Sequence, residues 1–584
     1  MHKKALFILA AVSLLTFGNS LFNGFLGDDH MVIVDNAFYT SWRNFPLLFA
    51  PAYVTQPDEV FNASKLMHTG SVAYRPVLST TFFVDYGLWR RNPFGYHLHN
   101  LLLHAANSVL VYFIVFLIVS HPPTALLSAI LFSVHPLKSE AVCAIGYRAD
   151  ALASLFLLSA FLSYIRLPAS RGFKKVCLSV FSHVFFFLAV FSKESAIGFV
   201  ALLIAYEGLI RGQKGREVLR HGIGKNIGYV VITLFYVFVY VYVFQNSTLR
   251  NISPLGGSWL AHIAMMFYIF SQYLTGFLIP FQVRALPPLF TPALEPYGIY
   301  KLAWAVVVFM VFIWLLGRSW RRHKVMAFFL LWFLITYIPV SNLIPLVNPM
   351  AYRFMYLPSV GLLAAFSIGM QRLGERIRGL LPHIEGGRIL KSAGIMFCMI
   401  MAISLNTMWK DDFVMASHMV KDFPDSPMGY LHLGMVYFVK GDVHRAQETL
   451  EQGLRKGLDD PRGYYHMGLC LLNDFERAKP YFEKSIRTFP YFALSYVGLG
   501  RIYILEGSYE EAIPYLQRAV ELRPSYPAYG YLVQGYTRLG RLQDAHRVFE
   551  EAQRALTHQR YIDSLQRLVE ERDQFKKPED LGIE

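Results

Sequence analysis

Charged residues are scarce in this 584-residue sequence. They make up 16% of it, whereas a soluble globular chain usually has about 25%. Hydrophobic residues make up 54% and aromatic residues 16%, and the mean hydropathy is +0.35. This balance excludes an ordinary soluble enzyme, because the apolar residues occur in runs long enough to cross a bilayer.

Cysteine is also scarce. The chain has four, and no two lie close enough in sequence to resemble a metal knuckle or a redox motif. We therefore expect no disulfide framework and no thiolate site from Cys143, Cys177, Cys398 and Cys470. No other metal-ligand cluster stands out, so no cofactor is expected, although the sequence leaves a divalent metal ion open.

Basic residues exceed acidic ones, which gives a formal net charge of +15. Such a charge can indicate nucleic-acid binding, but basic residues also accumulate in the cytoplasmic loops of membrane proteins. Because the apolar runs are long, the second explanation is favoured, and no nucleic-acid partner is predicted.

Twelve apolar runs are typical of membrane helices. The first, at residues 5–22, follows a basic start and fits either a signal peptide or an uncleaved helix. We favour the helix, because no cleavage site follows cleanly. The later runs lie at residues 97–120, 124–137, 150–165, 176–192, 195–210, 226–245, 259–280, 299–317, 325–344, 358–371 and 392–408.

Four basic loops, near residues 166–175, 211–225, 318–324 and 372–391, set the predicted orientation. Placing them all in the cytoplasm with the N-terminus requires one run not to cross, and the polar run 259–280 is the best candidate. About eleven crossings result, with the C-terminus outside the cytoplasm. If all twelve runs cross, the C-terminus is cytoplasmic instead.

The pattern changes after Trp409. From residue 427 the chain repeats with a period near 34, which is typical of the paired helices of tetratricopeptide repeats. The clearest unit has Tyr496, Leu499, Gly500, Tyr503, Ala512, Leu516, Ala519 and Pro524. We predict an all-α chain with a polytopic membrane helix bundle at 1–408, including a first external loop at 23–96, a linker at 409–426 and a repeat α-solenoid at 427–584. We expect a charged helix near 559–575 to cap the solenoid. Peptide binding and scaffolding are about equally favoured as its function.

An acidic pair, Asp28-Asp29, follows the first run where the chain leaves the membrane. Adjacent carboxylates there are often a solvated helix cap. The functional alternative is a general base for an acceptor hydroxyl, with a pKa raised by partial burial.

Polar residues recur at helical spacing on the second run, at His97, Asn100 and His104. Such a stripe in lipid faces either a cavity or another helix. Further polar residues stand at predicted external helix ends and fit the lining of a cavity: His135, Glu140, Asp150 and Glu194. External cations that converge within such a cavity would neutralise a phosphate, so a carboxylate with this site fits glycosyl transfer from a lipid phosphate.

These blocks resemble the TMTC-type (transmembrane and tetratricopeptide-repeat) O-mannosyltransferases and related bacterial proteins of the GT-C glycosyltransferase superfamily. The resemblance is carried by the acidic pair, the repeats and four segments: YRPVLSTTFFVDYGLWRRNPFGYHLHNLLLHAANS, FSVHPLKSEAVCAIGYRADALASLF, FSKESAIG and YRFMYLPSVG. It implies a GT-C type fold with a base at Asp28 or Asp29. It also implies that donor phosphate is bound by family-like cations at Arg75, Arg148, Lys193 and Arg353.

The leading hypothesis is an inverting glycosyltransferase of the bacterial inner membrane. It would move a sugar, with mannose as one option, from a polyprenyl-phosphate donor to a protein or glycan hydroxyl on the extracytoplasmic face. The repeat domain would lie in the periplasm and present the acceptor. The alternatives are a polysaccharide polymerase or ligase with a lipid-pyrophosphate donor, and a non-catalytic membrane scaffold. A transporter is a weaker option, because no broken helix pair stands out.

Overall fold

The structure is a computed structural model that describes residues 2–34, 37–49, 74–213, 226–244, 254, 258–284, 298–346, 348–380, 386–555 and 562–566. Two compact units divide the chain after Asp411. We call them the membrane unit and the repeat unit. The described residues contain many helices and no β-strand, so the chain is all-α, as the sequence predicts.

The membrane unit contains fourteen α-helices among its described residues, and shorter 3₁₀ turns join several of them. Their bounds are α1 His2–Phe17, α2 Pro76–Trp89, α3 Pro93–Val119, α4 Pro122–Val134, α5 Ser139–Cys143, α6 Arg148–Arg166, α7 Gly172–Val190, α8 Phe199–Leu209, α9 Ile227–Phe244, α10 Trp259–Leu278, α11 Gly298–Arg322, α12 Lys324–Tyr337, α13 Ser359–Leu380 and α14 Gly386–Asn406.

Local sequence signals explain several helix starts. Asn92 caps α3, since its side chain accepts a hydrogen bond from Phe94 N at 3.1 Å, and Pro93 occupies the first helical position. His121 does the same for α4, accepting from Thr124 N at 3.3 Å before Pro122. Both starts place a polar capping residue before a proline. Proline has no backbone N–H, and an N–H at this position would have no partner within the helix.

Six described helices are long and apolar enough to cross a membrane, or seven if one bent pair counts as a single span. That pair joins α4 to Pro136–Cys143 with a bend of 56°. Two further apolar helices, Ile227–Val241 and Lys324–Val340, are shorter. The number of about eleven crossings therefore stays a prediction.

The run at 259–280 was expected to be the segment that does not cross. It forms the continuous helix α10, which is not among the helices that meet the length and hydropathy criteria. The sharp bend instead follows α4. The proline after His135 explains that bend, because proline cannot continue the hydrogen-bond ladder of a preceding helix.

Large apolar side chains cover the outer faces of several helices. On α9, Phe238 is 67% exposed, and on α11 Trp304 and Trp314 are 60% and 61% exposed. Monomeric soluble proteins rarely expose such contiguous surface, so these faces fit contact with lipid chains. The interior is closely packed: a Cβ at Gly361 of α13 would overlap the carbonyl oxygen of Phe329 in α12.

Basic residues gather at one end of these helices. Burial and the charges of Arg372, Arg322 and Arg318 lower the pKa of His323, so the basic segments at 318–324 and 372–376 lie close together. The predicted basic loop at 211–225 is described only as far as residue 213. Its basic residues outside the described part are Lys214, Arg216, Arg220 and Lys225.

The repeat unit consists of helix pairs. Its helices are α15 Asp412–Asp422, α16 Pro427–Val439, α17 Val443–Arg455, α18 Pro461–Cys470, α19 Phe475–Thr488, α20 Ala493–Glu506, α21 Tyr509–Leu522, α22 Tyr526–Arg538 and α23 Leu542–Ala555. Helix α15 lies within the stretch 409–426 that was predicted to be a linker. Of the predicted capping helix, only residues 562–566 are described, and they are helical.

Small residues let the paired helices approach. A Cβ at Gly500 of α20 would meet the Leu516 side chain of α21 at 2.5 Å. Gly507 ends α20 in the left-handed conformation with φ of 80°, which glycine adopts without strain. The repeat periodicity therefore gives the helical hairpins that it predicts.

Candidate functional site: an acidic pair beside a chain of ion pairs

Asp29 joins the segment that follows α1 to the turn before α6. Its Oδ1 accepts a hydrogen bond from Gly146 N at 2.6 Å, and its Oδ2 accepts one from Leu26 N at 3.1 Å. The side chain is 1% exposed. One carboxyl oxygen thus links two distant segments of the chain, and the other holds the local turn at Leu26.

Burial raises the pKa of Asp29 from 3.8 to about 7, although the two backbone N–H groups act in the opposite direction. Desolvation disfavours the charged form of a carboxyl group, whereas hydrogen bonds donated to it favour that form. Asp29 therefore changes charge near neutral pH.

Asp28 lies beside the same turn and is only half-buried. A Cβ at Gly146 would come within 3.0 Å of Asp29 Oδ1 and 3.7 Å of Asp28 Cβ, so glycine lets the acidic pair approach this backbone closely. The next residue, Tyr147, is within electrostatic reach of Asp28. The guanidinium of Arg353 lies 3.9 Å from the centroid of the Tyr147 ring.

Three of the four predicted phosphate-binding cations lie in one chain of alternating charges. Each is paired with a carboxylate that was predicted to line a cavity. Arg353 pairs with Glu140, and its backbone N–H also donates to Glu140 Oε2 at 2.9 Å. The other two pairs are Lys193 with Asp150 at 2.6 Å and Arg75 with Glu194 at 2.7 Å.

The three pairs are also electrostatic neighbours of one another. Burial lowers the pKa of Lys193, while Asp150 acts to raise it, and the charges of Arg75 and Arg353 lower it further. Glu194 behaves differently: burial acts to raise its pKa, but Arg75 and Lys193 together lower it to about 2. The Arg75–Glu194 pair is the more accessible one, with side chains 18% and 38% exposed.

Arg148, the fourth predicted cation, points into the helix bundle. Its guanidinium donates to Asn100 Oδ1 at 2.6 Å, to the Tyr96 carbonyl at 2.9 Å and to the Thr81 hydroxyl at 3.0 Å. It also forms an ion pair with Asp85, and the side chain is buried. Arg148 therefore links α2, α3 and α6 inside the bundle.

The polar stripe on α3 makes hydrogen bonds between helices. His104 Nδ1 bonds the Tyr356 hydroxyl at 2.8 Å and its Nε2 the Ser133 carbonyl at 3.1 Å. Asn100 donates to Val142 O at 3.2 Å. His97 lies 3.3 Å from the Gly24 carbonyl. These contacts match the structural alternative for the stripe.

His135 lies at the bend after α4. Its Nε2 is 3.0 Å from the Phe277 carbonyl, and its ring stacks on the Phe277 ring. Asp150, which was predicted to line a cavity, lines a small crevice beside α6. The other lining residues include Ser154, Ser195, Thr336, Phe354 and Leu357.

Two further buried charged residues lie inside the helix bundle, and the sequence analysis did not single out the first of them, Asp85. Asp85 on α2 has no exposed surface and contacts both Arg148 and His99. Lys138 donates to the Tyr356 carbonyl at 2.9 Å and to the Ser359 hydroxyl. A lone charge inside an apolar stretch was the available signal, as in FFVDYGL for Asp85.

Among the described residues, no three His, Cys, Asp or Glu side chains gather as a metal ion would need.

A tetratricopeptide-repeat family profile matches residues 472–527. Protein O-mannosyl-transferase TMTC3 of Homo sapiens is 31% identical over 216 residues, which is 36% of this chain and 22% of that protein. Protein O-mannosyl-transferase TMTC2 of Homo sapiens is 36% identical over 114 residues, or 19% of this chain and 14% of that protein. The matches thus span about a fifth of the length of the relatives or less.

Among solved structures, MamA matches 29% of this chain and 94% of its own, with 20% identity. The TM-score is 0.22, which is too low to relate the two folds. The sequence matches confirm the resemblance that was inferred from the motifs. The chain is similar to the TMTC protein O-mannosyl-transferases over part of its length, and it carries a tetratricopeptide repeat.

Proposed function

We propose that this chain is an integral-membrane glycosyltransferase. It would transfer a sugar from a polyprenyl-phosphate donor to a hydroxyl group of a protein or glycan on the extracytoplasmic face. The observation that carries the proposal is the acidic pair held against the turn before α6, beside the chain of ion pairs. Similarity to proteins named O-mannosyl-transferase supports it.

Asp28 is the general base in this proposal, and Asp29 positions it. Asp29 uses both oxygens to accept backbone hydrogen bonds and is buried, whereas Asp28 is half-buried next to Tyr147. A base must reach the proton that it removes. The neighbouring carboxyl of Asp29 fixes the loop that presents Asp28.

The reaction is a single displacement with inversion. The acceptor oxygen attacks the anomeric carbon while Asp28 takes its proton. The bond between that carbon and the phosphate oxygen breaks, and its electron pair leaves with the lipid phosphate. Phosphate needs no strong general acid to depart, and nearby cations stabilise the charge that it gains.

Arg75 is the best candidate for the first phosphate contact. Its pair with Glu194 is partly exposed, and a phosphate can replace one carboxylate in the planar fork of an arginine. Lys193 and Arg353 lie next along the chain of ion pairs and would complete the site. The guanidinium N–H groups of Arg148 donate hydrogen bonds inside the bundle. We therefore assign Arg148 to positioning α2 and α6.

We further propose eleven crossings, with the N-terminus in the cytoplasm and the repeat unit outside it. In this topology α10 does not cross. The support comes from its two ends, which both contact the connection between α12 and α13. His262 near the start is 2.7 Å from the Asn342 carbonyl, and Tyr273 near the end bonds Ala351.

The test is sugar transfer in proteoliposomes that contain polyprenyl-phosphate mannose or glucose with a radiolabel. Wild type is compared with the double variant Asp28→Asn, Asp29→Asn, using serine- and threonine-rich peptides as acceptors. Asp425→Asn is the matched control, because Asp425 is a 98% exposed carboxylate of the repeat unit. We expect transfer by wild type and the control, and none by the double variant. Equal transfer by the double variant, or no transfer by wild type with either donor, would contradict the proposal.

A further inference from the structure

The last segment of the membrane unit is fastened to the start of the chain. This segment, residues 406–410, covers the end of α14 and the turn after it, and it stops two residues before α15. Asn406 donates a hydrogen bond to the Thr16 carbonyl at 2.8 Å. The Lys410 carbonyl accepts one from Gly24 N at 2.9 Å. We call residues 406–410 the exit segment, because the chain leaves the membrane unit through it.

Trp409 is the largest side chain of the exit segment, and it is 1% exposed. Its indole N–H is buried and has no hydrogen-bond partner among the described residues. Buried donors in folded proteins nearly always have a partner, so hydrogen bonding does not explain why an indole lies here. The contacts of the ring itself must account for its position.

The ring of Trp409 packs against the ring of Tyr147. The two centroids are 6.4 Å apart, and the ring planes are perpendicular, at 89°. Such pairs are favourable because the positive edge of one ring meets the negative face of the other. Tyr147 ends the short turn Ile145–Tyr147, in which Gly146 N donates to Asp29. The exit segment therefore supports the turn that anchors the acidic pair.

Tyr147 also holds the guanidinium of Arg353, which lies 3.9 Å from its ring centroid. A cation at this distance is attracted to the face of an aromatic ring. Arg353 is paired with Glu140 as well, so the carboxylate balances its charge while the ring limits where the guanidinium plane can lie. The orientation of Arg353 thus depends on Tyr147, and that of Tyr147 depends on Trp409.

We propose that Trp409 is a positioning residue of the donor-phosphate site and acts on Arg353 through Tyr147. The inference rests on the proposed function, which gives Arg353 its role in binding phosphate. Without the indole, the Tyr147 ring gains freedom, and the guanidinium spends less time in the orientation that meets a phosphate. Small displacements of such groups can cause large losses. The connection to the repeat unit thereby takes part in donor binding.

Two substitutions separate positioning from simple filling of space. Trp409→Phe keeps an aromatic ring beside Tyr147 and removes only the unpartnered N–H and part of the volume. Trp409→Leu keeps an apolar side chain but removes the ring. A residue that only fills space would lower the melting temperature in both variants and leave the ligand affinity of the folded protein unchanged.

The test measures binding of farnesyl phosphate to the full-length protein in detergent. The melting temperature is followed over a concentration series, because a ligand of the folded state raises it in proportion to its affinity. Farnesol, which lacks the phosphate, is the second probe. The matched control is Trp332→Leu. Trp332 has no exposed surface, and its ring lies perpendicular to that of Phe161, with centroids 5.1 Å apart, so the control removes an equivalent ring contact that does not involve Tyr147.

We expect wild type, Trp409→Phe and Trp332→Leu to bind farnesyl phosphate with similar affinity, and Trp409→Leu to bind it about tenfold more weakly. Tyr147→Leu should show the same loss, which keeps the test valid if Trp409→Leu does not fold. In the Tyr147→Leu background, Trp409→Leu should cause no further loss, because the two residues act through one contact.

Three results would overturn the proposal: equal affinity of Trp409→Leu and wild type, the same loss in Trp409→Phe as in Trp409→Leu, or binding by wild type that does not require the phosphate. Sugar transfer is assayed on the same preparations. The expected binding pattern without transfer by wild type contradicts the proposed function and leaves the positioning role intact. Transfer by wild type with unchanged affinity in Trp409→Leu overturns the positioning role alone.

Discussion

Among the described residues, most ion pairs of the membrane unit connect distant segments, whereas most of those in the repeat unit connect near neighbours. Arg148 and Asp85 are 63 residues apart in sequence and almost fully buried. In the repeat unit, Arg455 and Glu451 are one helical turn apart, with side chains 68% and 36% exposed. Arginine and carboxylate side chains therefore join distant helices in the membrane unit, whereas in the repeat unit they mostly pair on the surface of one helix.

The difference reflects the free energy of desolvation. A buried pair loses its hydration, and this loss is repaid only if the geometry is good and other hydrogen bonds complete it. An exposed pair loses little and contributes little. Buried pairs thus mark places where the chain must hold a particular geometry, and in the membrane unit they lie beside the acidic pair.

The largest predicted effect is the loss of one partner of a buried pair. Arg148→Met leaves the Asp85 carboxylate buried without its guanidinium, which should cost about 3–5 kcal/mol in the free energy of unfolding. Thermal melting and size-exclusion profiles in detergent would measure it. The double variant Arg148→Met, Asp85→Leu should regain much of that loss. A single variant as stable as wild type would refute the role of this pair.

The second largest effect should come from adding a methyl group at a close contact between helices. One such contact lies in each unit, and the two variants should differ in how much stability they lose. In Gly361→Ala the new Cβ overlaps the backbone of α12, which cannot move aside, so we expect a loss of about 3 kcal/mol. In Gly500→Ala it meets the movable Leu516 side chain, and about 1 kcal/mol is expected. Gly369→Ala is the control, because its Cβ would meet no atom within 4 Å. Equal melting temperatures for all three variants would contradict the prediction.

The stability of the membrane unit should depend on pH through Asp29. Its pKa is about 7 in the folded chain, whereas an aspartate carboxyl group that is fully solvated has a pKa of 3.8. A raised pKa means that the stabilisation is complete below the lower value and is lost as the pH rises through the higher one. Between them, wild type should lose about 1.4 kcal/mol per pH unit relative to Asp29→Asn. Melting temperatures from pH 4 to 8 would measure the difference, and a constant difference would exclude this titration.

The smallest effect should come from an exposed pair of the repeat unit. Arg455→Gln removes an ion pair between residues four apart on one helix, which is worth about 0.3–0.5 kcal/mol. Its melting temperature should fall slightly at low salt and match wild type at 1 M salt. A loss as large as that of Arg148→Met would remove the contrast between the two units.

Much of the architecture could be predicted from sequence, because apolar runs and the 34-residue repeat are local patterns. The helical hairpin around Gly500 and Leu516 is an example. A shared site for Arg75, Lys193 and Arg353 was expected from the family resemblance. Their carboxylate partners could not be matched to them, because each pair joins segments far apart in the chain. The inward turn of Arg148 depends on Asp85, a lone acidic residue in an apolar helix, and no local pattern reports such a contact.

The most direct test of the proposed site separates the two members of the acidic pair. Asp28→Asn and Asp29→Asn would each be assayed for transfer of labelled sugar in proteoliposomes, and each would be melted at pH 6. We predict that Asp28→Asn abolishes transfer and leaves the melting temperature near that of wild type, whereas Asp29→Asn keeps partial transfer and changes the melting temperature. Full transfer by Asp28→Asn would contradict the assignment of Asp28 as the base.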